Sequence, residues 1–94
     1  MEDLRIKKED YAITFVNEKD DVLAYVTFPL VEEGVVNINR TFVDVSLRGQ
    51  GVAQKLMDLV YEELVNRNLK ARITCSYAVK YFGLNKEKQK ILIK

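Results

Sequence analysis

The chain of 94 residues contains no histidine. That absence excludes a Ser-His-Asp triad, a Cys-His pair and imidazole-ligated zinc. Any general base must be a carboxylate, a tyrosine, a lysine, a thiol or a relayed water. There is a single cysteine, Cys75, so an internal disulfide and a cysteine-based metal cluster are excluded as well. A lone thiol points to a reduced, cytoplasmic setting, with no metal. No apolar run is long enough to span a bilayer, so no membrane is expected. The opening Met1-Glu2-Asp3-Leu4-Arg5 is acidic and poor in apolar residues, unlike a signal peptide. The net charge is only +1, which gives no drive toward nucleic acid. Lys86, Lys88, Lys90 and Lys94 lack interleaved stacking aromatics, so no nucleic-acid partner is expected.

What is present suffices for one domain over residues 1–94. Apolar residues make up 48% of the chain, enough for a core, although a domain this small is marginally stable. The carboxylate pairs Asp20-Asp21 and Glu32-Glu33 sit in polar turn segments and read as solvated turns rather than acid–base pairs.

The first half is strand-rich. Leu4 to Lys8 reads as an edge strand. Tyr11, Ile13 and Phe15 alternate with Ala12, Thr14 and Val16 at strand period. Asn17 to Asp21 is a turn, and Val22 to Phe28 the next strand, rich in β-branched and aromatic residues. Pro29, the one proline, cannot donate to a ladder and ends that strand. Glu32-Glu33-Gly34 turns the chain, and Val35 to Val45 is a third long strand, interrupted by Asn37 and Asn39. Three strands with short turns predict an antiparallel meander.

The second half changes period. Val52, Leu56, Leu59, Val60 and Leu64 recur at spacings of three and four, which predicts an amphipathic helix ending at Asn66 to Asn68. Lys70 to Cys75 predicts a strand parallel to Val35–Val45 after that helical crossover. Ser76 can cap a helix to about Leu84, terminated by Gly83 and Asn85. Ile91-Leu92-Ile93 should dock, since three exposed aliphatics are unfavourable.

Between strand and helix lies Leu47-Arg48-Gly49-Gln50-Gly51-Val52-Ala53. Glycines there let backbone N–H groups face outward at a helix N-terminus, a place to hold a phosphate. They could equally make only a tight turn. A dinucleotide fingerprint fails, because Gln54 stands where its third glycine belongs. A P-loop fails because no Gly-Lys-Ser/Thr follows.

The register Arg48-x-x-Gly51-x-Ala53 resembles the coenzyme A pyrophosphate loop of the GCN5-related N-acetyltransferases. The order of elements is similar to that family over nearly the whole chain. It resembles more particularly the very small stand-alone members, on Arg40-Thr41, Val43, Ser46 to Gly51, Leu69-Lys70-Ala71, Thr74 to Tyr77 and Lys80-Tyr81. The resemblance implies an α+β fold with a mixed sheet, the minimal acetyltransferase fold. It lacks the two helices that larger relatives carry between their first strands. It implies acetyl-coenzyme A in a cleft where Val35–Val45 and Lys70–Cys75 splay apart. Phe42, Val43 and Val45 would offer backbone to the pantetheine arm. Arg48, Gly49, Gln50, Gly51, Val52 and Ala53 would hold the pyrophosphate. Tyr81, or Tyr77, would protonate the leaving thiolate.

Cys75 ends the second splayed strand ahead of a helix and is a candidate nucleophile, able to accept acetyl by thioester exchange. It could equally be a small buried packing residue. Two departures stand out. Asn37 and Asn39 occupy the place where many relatives carry a carboxylate base, and Arg40 replaces a histidine common before the threonine. The implied activity is acetyl transfer to an amine, of a small molecule or a protein lysine. A non-catalytic acyl-coenzyme A binding module is the alternative.

Overall fold

The computed structural model describes residues 4–93. Lys94 and the opening Met1-Glu2-Asp3 lie outside the described residues. The elements are β1 (Arg5–Glu9), β2 (Ala12–Val16), β3 (Val22–Thr27), β4 (Leu30–Glu32), β5 (Val35–Ile38), β6 (Arg40–Val43), α1 (Val52–Asn66), β7 (Lys70–Ile73) and α2 (Ser76–Leu84). Short 3-10 turns cover Val45–Leu47 and Lys86–Ile91. The fold is α+β, as the two periods require.

Four strands form one sheet in the order β1-β2-β3-β6, all neighbours antiparallel. The other three form a sheet in the order β4-β5-β7. There β5 runs antiparallel to β4 and parallel to β7. The parallel pairing follows from the crossover through α1.

The long strand expected over Val35–Val45 is broken. Asn39 is the break: its N–H donates to the Thr27 carbonyl at 3.2 Å, and its side-chain oxygen accepts from the Thr27 hydroxyl at 2.6 Å. These bonds draw the chain off β7 and onto β3. Upstream β5 belongs to one sheet, and downstream β6 to the other. The strand also stops at Val43, because Asp44 caps the following turn through Ser46. Val45 is therefore a turn residue, 75% exposed. A further strand, β4, takes Leu30–Glu32, so Glu32 is paired and only Glu33-Gly34 turn, with Gly34 at φ +76°.

The core lies on one side of the sheets. Ile13, Phe15, Ala24, Val26, Val36, Ile38 and Ala71 meet Val52, Leu56, Met57, Val60 and Leu64 of α1, and Ala78 and Phe82 of α2. Met57, outside the expected stripe, is buried, whereas Leu59 is only half-buried. Asn68 takes φ +57° and closes α1, as expected. In α2 the cap is Cys75 and Ser76 is the first helical residue, with no side-chain cap bond. The helix also runs through Gly83 to Leu84. The closing apolar segment docks: Ile91 is buried, Leu92 bridges Ala71, and the Ile93 N–H donates to the Ala71 carbonyl at 2.9 Å.

Candidate acyl-transfer site

The two sheets part at Ile38. Its carbonyl accepts from Thr74 N–H at 3.1 Å and Cys75 N–H at 3.3 Å, at the end of the β5–β7 ladder. Beyond that point β6 bends to β3, and the chain after β7 enters α2. The second edge of β6 is left unpaired. The Asp44 N–H donates to the Leu23 carbonyl at 2.7 Å, which sets the ladder register. Opposed residues in an antiparallel pair alternate between bonded and non-bonded. Phe42 and Arg40 therefore spend their backbone groups on β3, and Thr41 and Val43 turn theirs to the open edge. The Val43 carbonyl meets Arg48 Nε there at 3.4 Å. Of the expected backbone set, Val43 faces the gap. Phe42 does not: its ring stacks on Tyr25 at 5.5 Å on the far face. Thr41 is the residue that sequence reasoning missed; the position of the break at Asn39 fixes its orientation.

Cys75 sits at the apex of the gap, 8% exposed. Its thiol donates to the Thr41 hydroxyl at 3.2 Å. It caps α2 with no side-chain bond to the first N–H groups of the helix.

The glycine loop opens onto the same gap. Gly49 and Gly51 take φ of +81° and +74°, a region that costs an ordinary L-residue about 1–2 kcal/mol. Gly51 caps α1 without a side-chain bond, and the Lys55 N–H is bonded back to its carbonyl at 3.1 Å. The N–H groups of Val52, Ala53 and Gln54 are thus left without intrahelical acceptors. A Cβ built on either glycine meets nothing within 4 Å, so the space over the loop is open. There is no acidic residue in the first turn of α1. These features fit a pyrophosphate. Asp44, nearby, is held below the usual carboxylate range by hydrogen bonds from the Ser46 hydroxyl and N–H. It is committed to the turn rather than available as a base.

A cleft of about 240 Å³ runs along Val43, Arg48, Gly49, Gly51, Ala53 and Tyr77. It continues into a second of about 320 Å³ between α1 and α2, sharing Ala53, Gln54 and Tyr77. Tyr77 thus stands beside the loop. Tyr81 lines the second cleft together with Tyr77. Its hydroxyl donates to Asp58 on α1 and accepts from Lys88 Nζ at 2.7 Å, and Lys88 also meets Asp58 at 3.0 Å. Burial first, then the Asp58 bond, pushes the Tyr81 hydroxyl up to about 12. The bonds to Tyr81 and Asp58 raise Lys88. Among the terminal lysines, Lys88 is therefore a packing residue. A larger cleft, about 610 Å³, lies on the other side of the loop against Phe15, Leu23 and Lys55, without Tyr77 or Tyr81, and Cys75 lines none of the three. No helix among the described residues is long and apolar enough to cross a membrane.

A family model described as GCN5-related N-acetyl-transferase matches residues 11–91. Among solved structures, the chain is similar to a GCN5-like protein from Staphylococcus aureus determined by NMR. The two share 30% identity with a TM-score of 0.79, covering 99% of this chain and 91% of that one. It is also similar to an acetyltransferase-type structure from Agrobacterium tumefaciens, at 26% identity and TM-score 0.63, covering 88% of this chain and 59% of that one. Tetrahymena GCN5 shares the fold at 17% identity and TM-score 0.62, covering 92% and 62%. The chain spans about three-fifths of the length of these last two. Comparison with curated proteins gives no match.

Proposed function

The chain belongs to the GCN5-related N-acetyltransferase family, and on that premise we propose that it binds acetyl-coenzyme A and transfers the acetyl group to an amine through Cys75. The observation that carries this reading is the position of the one thiol. Its sulfur meets the Thr41 hydroxyl of β6, and Val43 and Tyr77, each two residues along from that pair, line the cleft that runs to the glycine loop.

The pyrophosphate is assigned to the N–H groups of Val52, Ala53 and Gln54, with Arg48 beside them. An anion there gains from the helix N-terminus and from charge-assisted bonds. Thr41 and Val43 offer the edge of β6 to the pantetheine amides. Acetyl is the acyl group that suits so enclosed a sulfur. A reduced, cytoplasmic setting suits a free thiol.

The chemistry balances without an external base. The Cys75 sulfur attacks the thioester carbon; the carbon–sulfur bond to coenzyme A breaks, and the thiol proton leaves with the coenzyme A sulfur. The amine nitrogen then attacks S-acetyl-Cys75. The new carbon–nitrogen bond replaces the carbon–sulfur bond, and the amine proton returns to Cys75. The Thr41 hydroxyl accepts from the thiol and orients it. Tyr77 lines the cleft at the loop, and Tyr81 lines its continuation with the hydroxyl engaged by Asp58 and Lys88.

A second reading, a non-catalytic acyl-coenzyme A binding module, is favoured by the engagement of Asp44 in its turn and of Tyr81 with Asp58. Intact-mass measurement with acetyl-coenzyme A, alongside calorimetry, decides between the two. An acetyl adduct on Cys75, discharged by an amine, supports the enzyme. Binding with neither adduct nor turnover supports the module.

A further inference from the structure

The clefts on the helix side of the gap run to the glycine loop and are given to the cofactor in the reading above, which leaves the opposite face of the sheets to an acceptor amine. That face is bare. Val36 and Ile38 point into the core at 0% exposed, as do Ala24 and Val26, and both helices bury their apolar residues there. The alternating residues Asn37, Tyr25 and Thr27 point the other way and remain partly exposed.

The polar groups bordering the gap on this bare face are of one kind. The Asn39 side-chain oxygen is taken by the Thr27 hydroxyl, and the Asn37 oxygen by the Thr74 hydroxyl at 3.3 Å. Both amides therefore present their NH₂ groups. Arg40 is exposed and makes no hydrogen bond or ion pair among the described residues, and it directly precedes Thr41 in β6. Glu32, on the far side of β5 from the break, is paired with Arg72 at 2.9 Å. Among the described residues the mouth thus offers two amide donors and one unpaired guanidinium. A guanidinium fork beside amide N–H groups matches a carboxylate or phosphonate, and repels a second ammonium.

Resting on the reading above, we propose that Arg40, with Asn37 and Asn39, selects acceptors that carry an anionic group close to the amine, and disfavours diamines and polyamines. Arg40 acts here as a specificity residue; the bond changes remain those at Cys75.

The test compares matched acceptors with the full chain and acetyl-coenzyme A: β-alanine, its neutral amide, 2-aminoethylphosphonate and 1,3-diaminopropane. The expected kcat/KM for β-alanine exceeds that for the amide by about tenfold, the scale of one charge-assisted bond, and the difference lies in KM. Arg40→Ala should bring that ratio close to one. Arg40→Lys should keep most of it, and Arg40→Glu should shift preference to the diamine. Each variant should keep the thermal shift given by coenzyme A, which reports folding and cofactor binding separately. Equal use of β-alanine and its amide, or a ratio unmoved by Arg40→Ala, overturns the proposal. If nothing turns over, calorimetry of N-acetyl-β-alanine against its amide on the coenzyme A-loaded protein reads the same preference, and equal or absent binding overturns it. A wild type with no thermal shift overturns the underlying reading, and this proposal with it.

Discussion

The Cys75 thiol donates to the Thr41 hydroxyl at 3.2 Å, across the point where β6 and the end of β7 part. The two residues are 34 positions apart in sequence. The break at Asn39 turns Thr41 toward the gap, and the start of α2 fixes Cys75 opposite it.

Thr41→Val keeps the shape of the side chain and removes the acceptor. We expect acetylation of Cys75 to slow by about tenfold, the effect of one lost hydrogen bond of roughly 1.4 kcal/mol. Cys75→Ala should abolish the adduct while leaving coenzyme A affinity within about 1 kcal/mol. Intact mass and calorimetry read the two quantities. Wild-type transfer by Cys75→Ala would remove the thiol from the mechanism.

Coenzyme A should raise the melting temperature, with about 2.7 kcal/mol of added stability at a hundredfold excess over Kd. Gly51→Ala separates two effects. The site has room for a Cβ, so the cost to the free protein is the backbone strain at φ +74°, about 1–2 kcal/mol. The added methyl also enters the space over the loop, so the coenzyme A shift should disappear. A variant that melts lower yet keeps the full shift would show that the loop holds no phosphate.

Much of this arrangement is legible in the sequence. The 3.6-residue period of α1 gave its core face, and the glycine register gave the loop. The helical crossover gave the parallel pairing of β5 and β7. The break at Asn39 was not legible as a change of sheet, because an isolated polar residue in an apolar strand does not say which neighbour its backbone will bond. The β4 strand was hidden for a different reason: Leu30–Glu32 is three residues long, between Pro29 and Glu33-Gly34, too short to show an alternation. The orientation of Tyr81 depends on Asp58 and Lys88, which lie 23 residues before and 7 after it. Local periodicity places the ring on a buried face but says nothing of what its hydroxyl will meet.

Leu56 tests the coupling of core to loop. It is fully buried one turn into α1, below the glycines. Leu56→Ala should cost about 2–5 kcal/mol, a large share of the stability of a domain this size. Coenzyme A should still raise its melting temperature, because the loop backbone is unchanged. Thermal melts with and without coenzyme A check this, and loss of the shift would mean that the helix start depends on Leu56 packing.

Tyr81 gives the pH prediction. Its hydroxyl is pushed up to about 12 in the folded chain by burial and the Asp58 bond, against about 10 when unfolded. The folded state holds the proton more tightly, so this contribution to stability is fully present below pH 10. It is lost as the pH rises from there through about 12. Chemical denaturation across that range should show the decline, and Tyr81→Phe should flatten it while costing about 1 kcal/mol at neutral pH. The same variant addresses the reaction. With its hydroxyl committed to Asp58 and Lys88 rather than to the loop cleft, Tyr81→Phe should transfer acetyl at a rate within about threefold of wild type, the effect of a modest packing change. A loss of a hundredfold or more at unchanged coenzyme A affinity would instead make Tyr81 the proton donor, and would require the Asp58 bond to open during turnover.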